Sequence, residues 1–292
     1  MKTSRLLSVL LLFFLVIGAR AQDFQGQATY ESKTTVDFDF GGRDMSPEMK
    51  KRILENMKNA LEKTFILTFN KSESTYKEEE KLEAPGQGGG RFRMMGNFTA
   101  GLQYKNIKQN QLLQEQEFFG KQFLINDSLP KYDWKLSGET KQIGQYTCYK
   151  ATAVKKVDEL DFRSMRPRRP KDQSKDEAND KTTDSTQTKK LTDLIEMPKE
   201  VTITAWYTPQ IPVSLGPGEY QGLPGLILEV NADRTTILCS KIILNPQEKN
   251  DIKVPSKGKE VSKKEYAEIV KKKMEEMREM FESRRRRGGM GH

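Results

Sequence analysis

From residue 25 onward this chain repeatedly sets an apolar or β-branched side chain at every second position. Ala28 and Tyr30, then Val36, Phe38 and Phe40, alternate with polar residues, and Phe65, Leu67 and Phe69 restart the pattern. A period of two belongs to a pleated strand with one buried face. The segments LQYKNIK, QLLQEQEFFGKQFLIND, YDWKLSG and KQIGQYTCYKATAV follow in close succession, and VTITAWYT resumes the pattern at Val201. GEYQGLPGLILEV and RTTILCSKIIL pair as a hairpin across Asn231, Ala232 and Asp233. Short strands joined by short turns pair antiparallel. Phe65 to Lys77 reads as one strand. The predicted class is α+β: a curved antiparallel β-sheet, a half-barrel, with a packed helix and a C-terminal helix.

Two segments carry the helical period instead. Ser46, Pro47 and Glu48 supply an N-cap, a first-turn proline and an acid at the positive end of a helix dipole. Met49, Ile53, Met57 and Leu61 then recur every four residues, with Leu54 beside them, so one face packs on the sheet. Glu260 to Arg287 forms the second helix, with Tyr266, Val270, Met274, Met277 and Phe281 on one stripe. It docks on the domain or lies on an anionic membrane surface.

Lys2 and Arg5, the apolar run Leu6 to Ile17 and the Ala19-Arg20-Ala21 site have the form of a cleavable secretory signal. The organisation predicted is therefore a signal at 1–21, a sheet domain at 22–250 and a basic helix and tail at 251–292. A disordered, charged insertion at 157–198 interrupts the sheet domain, because that stretch has too little apolar surface to offset the entropy of ordering it. The expected localisation is exported: periplasm, or cell surface and secreted.

Export would reduce the net charge from +9 to +6, and the last 36 residues hold twelve Lys and Arg against seven Glu. No basic face runs through the body of the chain, which argues against a nucleic-acid partner. The single histidine is His292, so no Ser-His-Asp, Cys-His or His-ligated metal site can form inside the fold. No privileged carboxylate pair stands out. The chain reads as a non-enzyme with no cofactor and no metal. Its two cysteines, Cys148 and Cys239, lie in predicted strands and form a disulfide or remain buried thiols.

The most distinctive stretch is Gly222-Leu223-Pro224-Gly225-Leu226-Ile227. Pro-Gly suits the centre of a type II turn, with Gly225 at positive φ, feeding a core strand through Leu226, Leu228 and Val230. Nothing in it is nucleophilic or metal-binding. The hexapeptide resembles the GLPGLI family of secreted Bacteroidota proteins. So do its flanks: Cys148 to Ala151, Ala205-Trp206-Tyr207, Ile211-Pro212-Val213 and Gly216-Pro217. The resemblance implies compartment and lineage and carries no catalytic residue.

The predicted architecture is similar in outline to the periplasmic lipoprotein-carrier (LolA-like) fold. By that analogy the expected function is a binding protein holding an apolar ligand such as a lipid, with Phe119, Phe123, Trp134 and Trp206 as ligand-lining residues. The alternative is an interaction module that uses the charged insertion and basic helix to hold an envelope protein or to contact the membrane peripherally.

Overall fold

A computed structural model describes residues 24–35, 46–49, 51, 55, 61–79, 100–157, 166–167, 195–196, 198–247 and 251–288. The predicted signal, the strand residues 36–40, the Gly-rich segment near residue 90 and most of the charged insertion lie outside them.

The protein is mostly β. Twelve strands form one open mixed sheet: β1 (Gln25–Thr34), β2 (Glu62–Asn70), β3 (Glu73–Glu78), β4 (Ala100–Asn106), β5 (Gln111–Phe118), β6 (Lys121–Ser128), β7 (Lys135–Ile143), β8 (Tyr146–Lys156), β11 (Glu200–Thr208), β12 (Leu226–Ala232), β13 (Thr235–Leu244) and β14 (Lys259–Val261). The order across the sheet is β14-β6-β5-β4-β3-β2-β1-β13-β12-β11-β8-β7. Within the predicted insertion, β9 (Arg166–Pro167) and β10 (Ile195–Glu196) form a separate two-residue ladder.

Alternation in the sequence becomes alternation in burial. Along β1, Ala28, Tyr30, Ser32 and Thr34 are buried, and their neighbours are not. Every pairing in the large sheet is antiparallel except that of β14, which runs parallel to β6. The expected wholly antiparallel sheet is corrected there: the chain returns after residue 250 and lays three residues along the outer edge. The predicted single strand from Phe65 to Lys77 is a hairpin. Asn70 Oδ1 accepts the amides of Ser72 (2.8 Å) and Glu73 (2.7 Å) and turns the chain.

The helix α1 (Lys263–Gly288) begins at Ser262. Ser262 Oγ accepts the Glu265 amide (3.2 Å), and Glu265 Oε2 accepts the Ser262 amide (2.8 Å), a reciprocal capping box. Tyr266 and Val270 pack with Phe118, Phe123 and Val261 over the β5–β6 end of the sheet. One turn later the stripe is less covered: Met274 is exposed and Met277 half-buried, and Met280, beside the stripe, is exposed. The expected packed helix near residue 50 is helical at 47–49, 51, 55 and 61; its contacts lie outside the described residues.

The main core spans β1, β2, β3, β8, β11, β12 and β13. Among the described residues its other wall is a loop. Ile211, Val213, Leu215, Tyr220 and Leu223, all from the segment between β11 and β12, are buried against the sheet. This strap shows how far the sheet curls. Strands β4 and β8 stand seven places apart in the order, about 34 Å if flat. Yet Lys105 of β4 and Lys155 of β8 both end on the strap's 216–220 turn. The sheet must wrap around the strap for both to reach it.

Candidate functional site

The strap is built from its hexapeptide outward. Gly225 has no positive φ, so the expected type II turn does not form. Pro224 instead sits at the centre of a three-residue turn closed by the Gly225 amide on the Leu223 carbonyl (2.8 Å). Glycine is required at 225 by proximity: a Cβ there would lie 2.2 Å from the Thr208 carbonyl oxygen. The positive φ falls on Gly222, at 93°. Gly216 also makes a close approach, its notional Cβ lying 2.8 Å from Ile227 Cβ. The Leu226 and Ile227 amides donate to the carbonyls of Ile211 and Leu215, both at 3.0 Å. Tyr30 Oη, from β1 beneath, donates to the Ile227 carbonyl at 2.7 Å. Thus the motif zips the outgoing strand to the strap's incoming limb and fastens both to the sheet.

The strap's tip is held by polar groups from three sides. Trp134 Nε1 donates to the Gln221 carbonyl (2.9 Å), and Gln221 Nε2 donates to the Pro130 carbonyl (2.9 Å). Lys155 pairs with Glu219. Lys105 Nζ donates to the carbonyls of Gly216 (2.6 Å) and Tyr220 (3.1 Å). Lys105 is 1% exposed. Burial pushes its ammonium down to about 7, with Glu219 pulling the other way. Beside it, directly paired across β3 and β4, is Ser74, fully buried, whose Oγ has no hydrogen-bond partner among the described residues. A buried amine and a buried orphan hydroxyl therefore rise from paired positions on the inner face, beside the apolar main core.

The four aromatic residues expected to line one cavity are not brought together. Phe119 sits at φ 49° in the β5–β6 turn and is 40% exposed. Phe123 is buried against Tyr266 of α1, with ring centroids 5.5 Å apart, so the helix fills the space a ligand would need there. Trp206 is half-buried at the margin of the main core, with Lys141 Nζ 4.5 Å from its ring centroid. Trp134 alone of the four meets the strap.

Cys148 and Cys239 are buried free thiols in the main core. Burial pushes them up to about 11 and about 12, which keeps them protonated and poorly nucleophilic at neutral pH. Among the described residues no cluster of His, Cys, Asp and Glu could hold a metal ion, and no helix is long and apolar enough to cross a membrane. A shallow cleft of about 330 Å³ lies at one end of the sheet, lined by Gln109, Asn110, Gln111, Asn126, Asp127 and Ser128.

Fold and site together define a β-sheet protein plugged by its own loop. The family model described as "Protein of unknown function (Porph_ging)" matches residues 134–229, a stretch that runs from Trp134 through β7, β8, β11 and the strap to Glu229 in β12. No curated protein matches the sequence. Among solved structures, the chain is similar to PNGF-II in two crystal forms. Against the C2 form the TM-score is 0.43 at 14% identity, covering 85% of this chain and 32% of the other. Against the P21 form it is 0.45 at 14% identity, covering 84% and 33%. The chain thus spans about a third of the length of the structures it matches.

Proposed function

We propose that this is an exported, non-enzymatic binding protein of the GLPGLI type, holding an apolar ligand such as a lipid or acyl chain on the inner face of its curled sheet. The observation supporting this reading is the strap. A five-residue segment, Ile211-Pro212-Val213-Ser214-Leu215, turned at Pro212 by the Val213 amide on the Ile211 carbonyl (2.8 Å), already lies across that face with alternate side chains buried. The inner face is thereby shaped for an elongated apolar insert. Displacing the five strap side chains would cost on the order of 10 kcal/mol at about 2 kcal/mol each, comparable with the gain from burying a chain of about a dozen methylenes. A ligand of that length is therefore a fair competitor for the strap, and a much shorter one is not.

Native mass spectrometry of the detergent-free protein, with organic extraction, tests the reading. A reproducible added mass that extracts as a lipid is the expected result. A clean apo mass after incubation with envelope lipid extract would overturn it.

A second reading, an interaction module, is favoured by α1, whose stripe is buried at Tyr266 and Val270, exposed at Met274 and half-buried at Met277. Methionine-rich faces adapt readily to apolar partners. If removing residues 274–292 abolishes binding to an envelope partner while the sheet stays folded, this second reading takes priority.

A further inference from the structure

Lys105 is an expensive residue to bury for the sake of holding a loop. An ammonium in an apolar interior is strongly disfavoured unless its donors are met. The strap supplies two carbonyl oxygens for an amine that carries three donors when protonated. Ser74 adds, on the same face and one strand away, a buried hydroxyl with no partner among the described residues. Cross-strand partners hold their Cβ atoms about 5 Å apart, so both side chains rise from paired positions on the inner face, the hydroxyl close to the sheet and the amine at the end of its stem against the strap. The neighbouring inner-face residues Phe69, Leu67 and Ala28 are buried and belong to the main core, the same cluster as the strap's apolar side chains.

We infer that Lys105 and Ser74 form the headgroup end of the ligand site, and that the ligand is an amphiphile with an anionic carboxylate head, a long-chain carboxylic acid. This rests on the apolar-ligand reading above and adds its polar end. When the strap's tip lifts, Lys105 loses the carbonyls of Gly216 and Tyr220. A carboxylate replaces them as acceptor and also accepts from the Ser74 hydroxyl, while the alkyl tail takes the place of Ile211, Val213 and Leu215. The strap thus acts as an internal stand-in, its carbonyls for the head and its side chains for the tail. Glu219, the acid next to Lys105, is neutralised by Lys155 and leaves with the tip.

The test compares dodecanoate with 1-dodecanol, matched in tail and differing in head, by titration calorimetry on the full-length protein. Dodecanoate is expected to bind at least tenfold more tightly. Lys105→Met should abolish that preference, with dodecanol bound no more weakly than by the parent, because the strap loses two of its fastenings. Ser74→Ala should reduce the preference about threefold, and Lys33→Met, at an exposed position on the other face of β1, should leave it intact. Equal affinity of the unaltered protein for the two probes overturns the headgroup assignment alone. Failure to bind either probe overturns the apolar-ligand reading and this inference with it. Should Lys105→Met not fold, Ser74→Ala decides, because deleting an unpartnered hydroxyl does not endanger the fold; an undiminished preference in that variant overturns the assignment.

Discussion

Gly225 and Lys105 show two ways in which a single side chain constrains this protein. Gly225→Ala places a methyl group 2.2 Å from the Thr208 carbonyl oxygen, and neither backbone can yield without breaking the strap's zipper. A loss of about 3 kcal/mol or more is expected, read as a lower urea midpoint. Gly138→Ala, where the added Cβ meets nothing within 4 Å, should be within about 0.5 kcal/mol of the parent. Lys105 makes stability depend on pH. Its folded value of about 7 lies below the ordinary lysine value of about 10.4. Above pH 7 the unfolded chain therefore holds a proton that the folded chain has released. Stability must rise with pH from about 7, by at most about 1.4 kcal/mol per unit. Above about pH 8.5 the cysteines oppose this, since unfolded thiols ionise there and the buried ones, at about 11 and about 12, do not. Urea midpoints between pH 6.5 and 8 should climb in the parent and stay flat in Lys105→Met. Parallel profiles would show that Lys105 is not desolvated.

Among the elements, α1 divides at Val270. Val270→Ala removes two buried methyl groups next to Phe123 and Tyr266 and should cost about 2 kcal/mol. Met274→Ala and Met280→Ala act on exposed positions and should change stability by less than about 0.5 kcal/mol. Thermal melts of the three variants check the division, and a large loss at Met280 would mean that the outer half docks too. Much of this element was legible in sequence. The stripe through Tyr266 and Val270 marked a helix, but its expected start at Glu260 falls in β14, and the Ser262-x-x-Glu265 capping box that sets the true start was passed over. Where the stripe stops being buried was not legible, because that depends on where β6 ends beneath it. The strands were legible for the same local reason: alternation at Ala28, Tyr30, Leu67 and Phe69 is visible residue by residue. The turn at Asn70 was missed because polar residues flank it on both sides and no apolar phase change announces it. β14 is too short to show a period. Lys105 was out of reach altogether. It follows Tyr104 in a strand covered on both faces, Tyr104 packing with Leu113, Leu124 and Ile252 and Lys105 meeting the strap. Consecutive burial of this kind erases the alternation, and the partners that bury Lys105 lie 111 and 115 residues away.

At the scale of the whole molecule, a sheet of twelve strands normally needs a second layer, yet over the main core the other layer is the strap, fifteen or so residues from the sheet's own chain. Closing the curl this way leaves the interior filled and both sheet edges open, with β14 and β7 outermost. The free energy of the strap relative to the strands then decides what the protein can do. The strap's own amides, Gly222 to the Ser214 carbonyl (3.2 Å) and Tyr220 to the Pro217 carbonyl (3.2 Å), are protected only while it stays closed. The ladder amides that join β1 to β2 and β13 are protected until the sheet itself opens. A ligand site beneath the strap requires the tip to lift without unfolding the sheet, so the Gly222 and Tyr220 amides should exchange with solvent through an opening several kcal/mol cheaper than that of the β1 ladder. Trp134 offers an independent reading, because its indole donates to the strap at Gln221. With Trp206→Phe it becomes the single tryptophan, and its emission should shift red at urea concentrations where the far-ultraviolet circular dichroism of the sheet is still native. If strap and ladder amides exchange at one common free energy, and both optical transitions coincide, the strap is permanent core. The working surface would then have to be sought outside the sheet, first on the exposed half of α1.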